Sequence, residues 1–157
     1  MKITLLVVGK TTDRHIDALI QDYAARLSHY TPFELNVIPE LKNTKSLTEQ
    51  QQKAAEAKLI LAQLQPSDFL VLLDEHGRMY RSMEFAKYIE KKQNTVSRRL
   101  VFLIGGPYGF DADVYARAND KVSLSPMTFS HQMIRLIFVE QLYRAYTILR
   151  GEPYHHE

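Results

Sequence analysis

Lys2 to Val8 reads KITLLVV, an unbroken apolar and partly β-branched run ended by Gly9. A strand with one wet face alternates apolar and polar residues, whereas a run without alternation fits a strand buried on both faces, as in a parallel sheet covered by helices. Two further runs repeat the pattern, Phe69 to Leu73 (FLVLL) and Leu100 to Ile104 (LVFLI). Phe33 to Ile38, stopped by Pro39, and the short Lys121 to Leu124 supply two more strands.

Helical spacing fills the intervals. Ile16, Leu19, Ile20, Tyr23 and Leu27 predict a helix from about Asp13 to His29, capped by Thr12 or Asp13 and broken by Pro32. Glu40 to Lys45 is expected as a loop, and Ser46-x-x-Glu49 reads as a capping box opening a helix to about Leu64. Pro66 and Ser67 then turn the chain, and the strand from Phe69 runs into a polar turn, Asp74 to Gly77. Ser82 to Lys92 is a helix, Asp111 or Asp113 caps a short one, and Ser130 caps a long final helix from His131 to Arg150, closed by Gly151 and Pro153. Strands alternating with helices predict an α/β fold with helices on both faces of a mostly parallel sheet. With no repeat, low-complexity tract or linker, residues 1–157 are expected to form a single domain.

Composition narrows the function. A chain of 157 residues can bury roughly two-thirds of its unfolded surface without staples. The absence of cysteine fits a reducing compartment and excludes thiolate catalysis and Cys-based metal sites. Ile3 to Val8 is too short for a signal sequence and no stretch approaches a membrane span, so a soluble, cytoplasmic protein without membrane attachment is expected. A net charge of +2 argues against bulk attraction to nucleic acid. Basic residues nevertheless cluster at Lys42/Lys45, Lys53/Lys58, Lys87/Lys91/Lys92 and Arg98/Arg99, and recur at Arg135, Arg144 and Arg150. Solvated helix faces are the simpler account of the first three groups.

The last helix carries too many apolar residues for one stripe. Met133, Ile134, Leu136, Ile137, Phe138, Val139, Leu142, Tyr143, Ala145, Tyr146, Ile148 and Leu149 spread around most of its circumference. One face is expected on the sheet and another on a second copy of the chain; burial within its own core is the alternative.

Ligands of open α/β sheets sit beyond the carboxyl ends of strands. Three ends stand out: Leu72-Leu73-Asp74, the glycine-rich Gly105 to Gly109, and Leu124 to Phe129. Their mixture of glycines, amides and apolar side chains suits an adenine ring with a polar tail. Familiar nucleotide motifs fail. Gly9-Lys10-Thr11 would need a glycine where Thr4 stands to end a phosphate loop, and Gly105-Gly106-x-x-Gly109 lacks the dinucleotide spacing and follows a late strand. No nucleophile elbow or H-E-x-x-H helix is present.

Four ordered segments carry a resemblance: IGGPYGF (Ile104 to Phe110), LSPMTFSHQMIR (Leu124 to Arg135), EQLYRA (Glu140 to Ala145) and GEPYHHE (Gly151 to Glu157). Together with KITLLVVGK and the overall length, they resemble the RlmH (YbeA) family, minimal SPOUT-class methyltransferases of bacterial large-subunit ribosomal RNA. The chain departs from that pattern at His156, where the family has Arg or Lys. The resemblance implies S-adenosylmethionine-dependent methylation of N3 of a pseudouridine in 23S rRNA of the assembled ribosome. It also implies a C-terminal trefoil knot, an exception to the rule against knotted chains, and a homodimer formed through the last helix. Its partner is ribosomal RNA and not DNA. Cofactor binding carries over to Leu73, Gly105, Leu124, Ser125, Pro126, Met127, Thr128 and Phe129.

Removing the imide proton of a uracil-type ring requires a base, or cationic donors that stabilise the anion. His131, Arg135, Arg144, Tyr154 and His155 are the candidates. Arg135 or Arg144 would steady the ring oxygens or a phosphate, and Tyr154 and His155 would reach across from the partner subunit to order the substrate or accept the proton. An i,i+4 ion pair with Glu140 is the alternative for Arg144, and a plain helix-start residue for His131. Two other functions compete: a catalytically inactive ribosome-binding factor of the same fold, and an α/β module for a small nucleotide.

Overall fold

The computed structural model describes residues 1–156. Strand β1 (Lys2–Val8) lies inside a five-stranded sheet between β2 (Phe33–Ile38) and β4 (Arg99–Ile104); β3 (Phe69–Met79) follows β4, and β5 (Asp120–Ser123) forms the edge. Every neighbouring pair is parallel. The predicted double burial holds, because alternate residues of one strand enter two cores. Ile3, Leu5 and Val7 pack with Leu100, Phe102 and Ile104 in one, while Leu6 joins Val101 and Leu103 in the other.

Helices α1 (Arg14–Leu27), α3 (Ser82–Thr95) and α5 (His131–Leu149) cover the first face through Ile20, Leu27, Phe85, Ile89 and Phe138. Helices α2 (Glu49–Ala62) and α4 (Ala112–Arg117) cover the second through Ala57, Ile60 and Val114. Asp13 caps α1 and Ser130 caps α5, as predicted.

Two local expectations are corrected. The capping box of α2 is Thr48 with Gln51, two residues beyond Ser46, which lies in a short 3-10 turn over Thr44–Ser46. Both tetrads satisfy the spacing rule, and in the later one Thr48 Oγ1 accepts from the Gln51 N–H while Gln51 Oε1 accepts from the Thr48 N–H. The strand from Phe69 does not end at Leu73. After an irregularity between Leu73 and Arg78 it pairs again with β5, through Arg78 and Met79. A bulge that re-aims an edge pairing leaves no apolar signature.

Helix α5 packs one side on its own chain, as expected. It is wedged between α1 and α3, with Phe138 against Phe102 (ring centroids 4.7 Å) and Tyr143 against Tyr23 (5.7 Å). Phe138, Val139, Leu142, Ala145 and Tyr146 are buried by the chain itself and form the inward side expected of this helix. Met133 remains exposed, with Leu136 and Ile137 half-buried beside it.

Candidate active site

A cavity of about 290 Å³ opens at the carboxyl ends of β3, β4 and β5. Close packing forms the β4 wall. A Cβ on Gly105 would come within 2.8 Å of the Phe110 ring, and one on Gly106 within 2.5 Å of the Glu56 carboxylate. Gly109 has a positive φ of 80°, and its N–H closes the turn on the Gly106 carbonyl at 3.2 Å. That turn needs glycine, since L side chains avoid this backbone region.

The β5 wall is the loop after Ser123. Ser125 Oγ accepts from the Met127 N–H at 2.9 Å, and Ser123 Oγ donates to the Ser125 carbonyl at 3.2 Å. Leu73, Gly105, Leu124, Ser125, Met127, Thr128 and Phe129 line the cavity, as does His131; Pro126 shares the loop without lining it. Tyr115 and Ile134 also contribute, and sequence reasoning missed them. Tyr115 donates to Asp74 Oδ2 at 2.7 Å and so fixes the end of β3. Burial, then that bond, pushes the Tyr115 phenol up to about 12. Nothing in α4, six residues long, announces this duty.

A second group of candidates gathers on α5 and the segment after it. Glu140 Oε1 accepts from Arg144 Nη2 at 2.6 Å and from the Tyr154 hydroxyl at 3.0 Å. Arg144 Nη1 lies 3.0 Å from His155 Nδ1, and its guanidinium stacks 4.7 Å from the Tyr154 ring centroid. Tyr154 also meets the Tyr23 hydroxyl at 3.1 Å. Burial first, then the bonds to Tyr23 and Glu140, raise the Tyr154 phenol far above its ordinary value. The ion pair considered as the alternative for Arg144 is therefore present, and Arg144 holds His155 as well. Within the single chain Tyr154 and His155 fold back on their own helix instead of projecting outward. His155 lines a neighbouring cavity of about 370 Å³ that shares Ser123, Leu124 and Phe129 with the first.

Arg135 joins neither group. Only 2% exposed, it donates from Nη1 to the Gly9 carbonyl (2.9 Å) and Thr11 Oγ1 (3.1 Å), and from Nη2 to the Val8 carbonyl (2.9 Å). Carbonyls past the end of β1 have lost the sheet's donors, and a guanidinium fork supplies two at once. Among the described residues, no cluster of three or more His, Asp or Glu side chains could hold a metal ion, and no helix is long and apolar enough to cross a membrane.

Residues 1–155 match the family described as predicted SPOUT methyltransferase, and the chain belongs to that family. Its similarity to individual relatives extends from end to end. Proteins named ribosomal RNA large subunit methyltransferase H from Bacteroides thetaiotaomicron, Phocaeicola vulgatus and Parabacteroides distasonis are 63%, 62% and 60% identical to it over 157 residues, covering all of each chain.

Proposed function

We propose that the protein methylates N3 of a pseudouridine in 23S rRNA of the assembled ribosome, using S-adenosylmethionine, as a cytoplasmic homodimer. The observation that carries this reading is the convergence of three strand-end loops on one cavity beside the Arg144, Tyr154 and His155 cluster. It occurs in a chain whose full-length relatives are named ribosomal RNA large subunit methyltransferases.

The cavity suits the cofactor. Its volume is near that of small-ligand sites, and the glycine turn leaves main chain bare where any Cβ would collide with Phe110 or Glu56. Leu73, Gly105 and Leu124 to Phe129 would hold the nucleoside between apolar walls and main-chain polar groups. When bound, the cofactor supplies a methyl group on a positively charged sulfur.

The remaining chemistry belongs to the chain. The N3 proton must leave as the new N–CH3 bond forms. Tyr154 keeps its own proton at neutral pH because burial, Tyr23 and Glu140 oppose its loss, so it does not act as the base; it orders the substrate by exchanging its bond to Glu140 for one to the ring. His155 takes the proton at Nδ1 once Arg144, which donates to that nitrogen in the free protein, turns its guanidinium onto the ring's developing oxyanion. His131, at the cavity wall and the start of α5, orients the base or its phosphate. Arg135 acts at a distance by fixing the first turns of α5 to the end of β1.

The outward apolar strip of Met133, Leu136 and Ile137 supports dimerisation through α5, which would set a twin beside both cavities. A trefoil threading belongs to the same reading and rests on the family match.

Mass spectrometry of 23S rRNA from a strain lacking this protein tests the proposal. The pseudouridine should lose its methyl group in the deletion and regain it with the wild-type gene, but not with Tyr154→Phe combined with His155→Ala. A fully methylated rRNA in the deletion strain sinks the reading. Wild-type protein that binds ribosomes without taking up S-adenosylmethionine in calorimetry would favour the inactive binding factor.

A further inference from the structure

Glu56 is a carboxylate in an unexpected place. It projects from α2 under the glycine turn and is only 6% exposed, yet among the described residues its one hydrogen bond is from the Gly106 N–H to Oε1 at 3.1 Å. Among the described residues no cation lies within ion-pair distance of it. It shares a cavity of about 330 Å³ with Arg135, but that guanidinium is committed to Val8, Gly9 and Thr11, and the carboxylate that bears on it electrostatically is Glu40.

Burying a carboxylate without a cation is costly, and a glutamine would satisfy one backbone N–H without that cost. Burial accordingly pushes the Glu56 carboxyl up, with the Gly106 N–H opposing the rise. The turn itself therefore does not call for a charge at this position. What lies on the other side of Gly106 is the strand-end cavity, since this glycine lines both spaces.

Resting on the methyltransferase reading, we infer that Glu56 is a positioning residue selective for charge. Its buried carboxylate, one backbone thickness behind the cofactor cavity, favours the sulfonium donor over the uncharged thioether product. Methyl transfer removes one positive charge from the cofactor's sulfur, so the same residue that helps hold the fresh donor no longer helps hold the spent one. The ammonium and carboxylate of the methionine tail are common to both forms and cancel in the comparison. Asp74 and Glu75 line the cavity directly but act more weakly. Asp74 already accepts from Tyr115 and from the His76 N–H, and the Glu75 side chain is 68% exposed, where water screens it. A buried charge acts through a lower effective dielectric.

Calorimetric titration with S-adenosylmethionine and with S-adenosylhomocysteine separates charge from scaffold. Glu56→Gln keeps an oxygen for the Gly106 N–H and removes the charge. It should bind the sulfonium roughly tenfold more weakly while the thioether changes by less than about twofold. Glu56→Asp keeps the charge but withdraws it from Gly106, so both affinities fall while the preference for the sulfonium survives. Because burial disfavours the charge, Glu56→Gln should melt no lower than wild type, a readout taken on the free protein. Equal losses for the two ligands in Glu56→Gln, no loss for either, or an equally eroded preference in Glu56→Asp would each overturn the inference. If wild type binds neither ligand, the cofactor reading falls and this falls with it; if wild type binds both and Glu56→Gln shows the wild-type preference, only the role of Glu56 is lost.

Discussion

Arg135 and Arg144 lie nine positions apart on one helix, and their surroundings give them different work. Arg135 makes three hydrogen bonds inside the protein, to Val8, Gly9 and Thr11, whereas Arg144 sits half-buried between Glu140 and His155. Arg135→Lys replaces a fork by a single point charge, and breaking such buried bonds should cost about 2 to 3 kcal/mol, read as a lowered melting temperature. Arg144→Ala should instead leave the melting temperature within a few degrees of wild type while lowering turnover on ribosomes at least about tenfold. If Arg144→Ala methylates normally, the cluster is a surface ion pair and nothing more. Gly106→Ala drives a methyl group to within 2.5 Å of the Glu56 carboxylate. Overpacking of that kind costs about 1 to 3 kcal/mol, and the loss should fall on affinity for both forms of the cofactor.

Among the elements, β3 and β4 are tied together where they begin. Asp68 is 5% exposed and takes both Nε and Nη2 of Arg99, while Arg99 also reaches the Gln63 carbonyl. Burial alone would raise the Asp68 carboxyl; the Arg99 bonds, the Gln65 N–H and the nearby Arg117 outweigh it and hold the carboxyl below its ordinary value. A carboxyl lowered on folding stabilises the protein above its unfolded pKa, near 4, and loses that contribution as pH falls through the folded value. Asp68→Asn should therefore cost about 3 kcal/mol at neutral pH in urea denaturation, with the gap to wild type closing below about pH 4. A gap that stays constant into acid would refute the assignment. Much at this scale was legible in the sequence, because continuous apolar runs mark buried strands without help from the rest of the fold. Thr48 was not, since two overlapping tetrads obey one capping rule. Nor was the second half of β3, whose Asp74, Glu75, His76 and Arg78 look like a turn until β5 is alongside.

The whole molecule explains what else was hidden. Leu73, Gly105 and the 124–129 loop could be named as strand ends in advance, but that they share one cavity depends on the order β2-β1-β4-β3-β5, which puts β3 between β4 and β5. Tyr115 and Glu56 enter only through packing between α2, α4 and the turn, and no spacing rule announces either. Helix α5 packs one side between α1 and α3, as its apolar surplus led one to expect, and leaves the opposite side without a neighbouring helix among the described residues. The strip that remains, Met133 with Leu136 and Ile137, makes the assembly testable. Ile137→Glu should shift sedimentation from dimer toward monomer and reduce ribosome methylation in parallel, whereas wild type that sediments only as a monomer would remove the twin from the proposal.

The segment after α5 is stitched to the front of the molecule, with Tyr30 donating to Glu152 at 2.6 Å and Tyr154 meeting Tyr23. A purification tag or fluorescent fusion added behind residue 157 would leave from near Arg144 and His155, where it would crowd the rRNA, so such fusions should bind cofactor normally and still fail on ribosomes. Enzymes that digest proteins inward from the carboxyl terminus should likewise stall there until α1 is loosened.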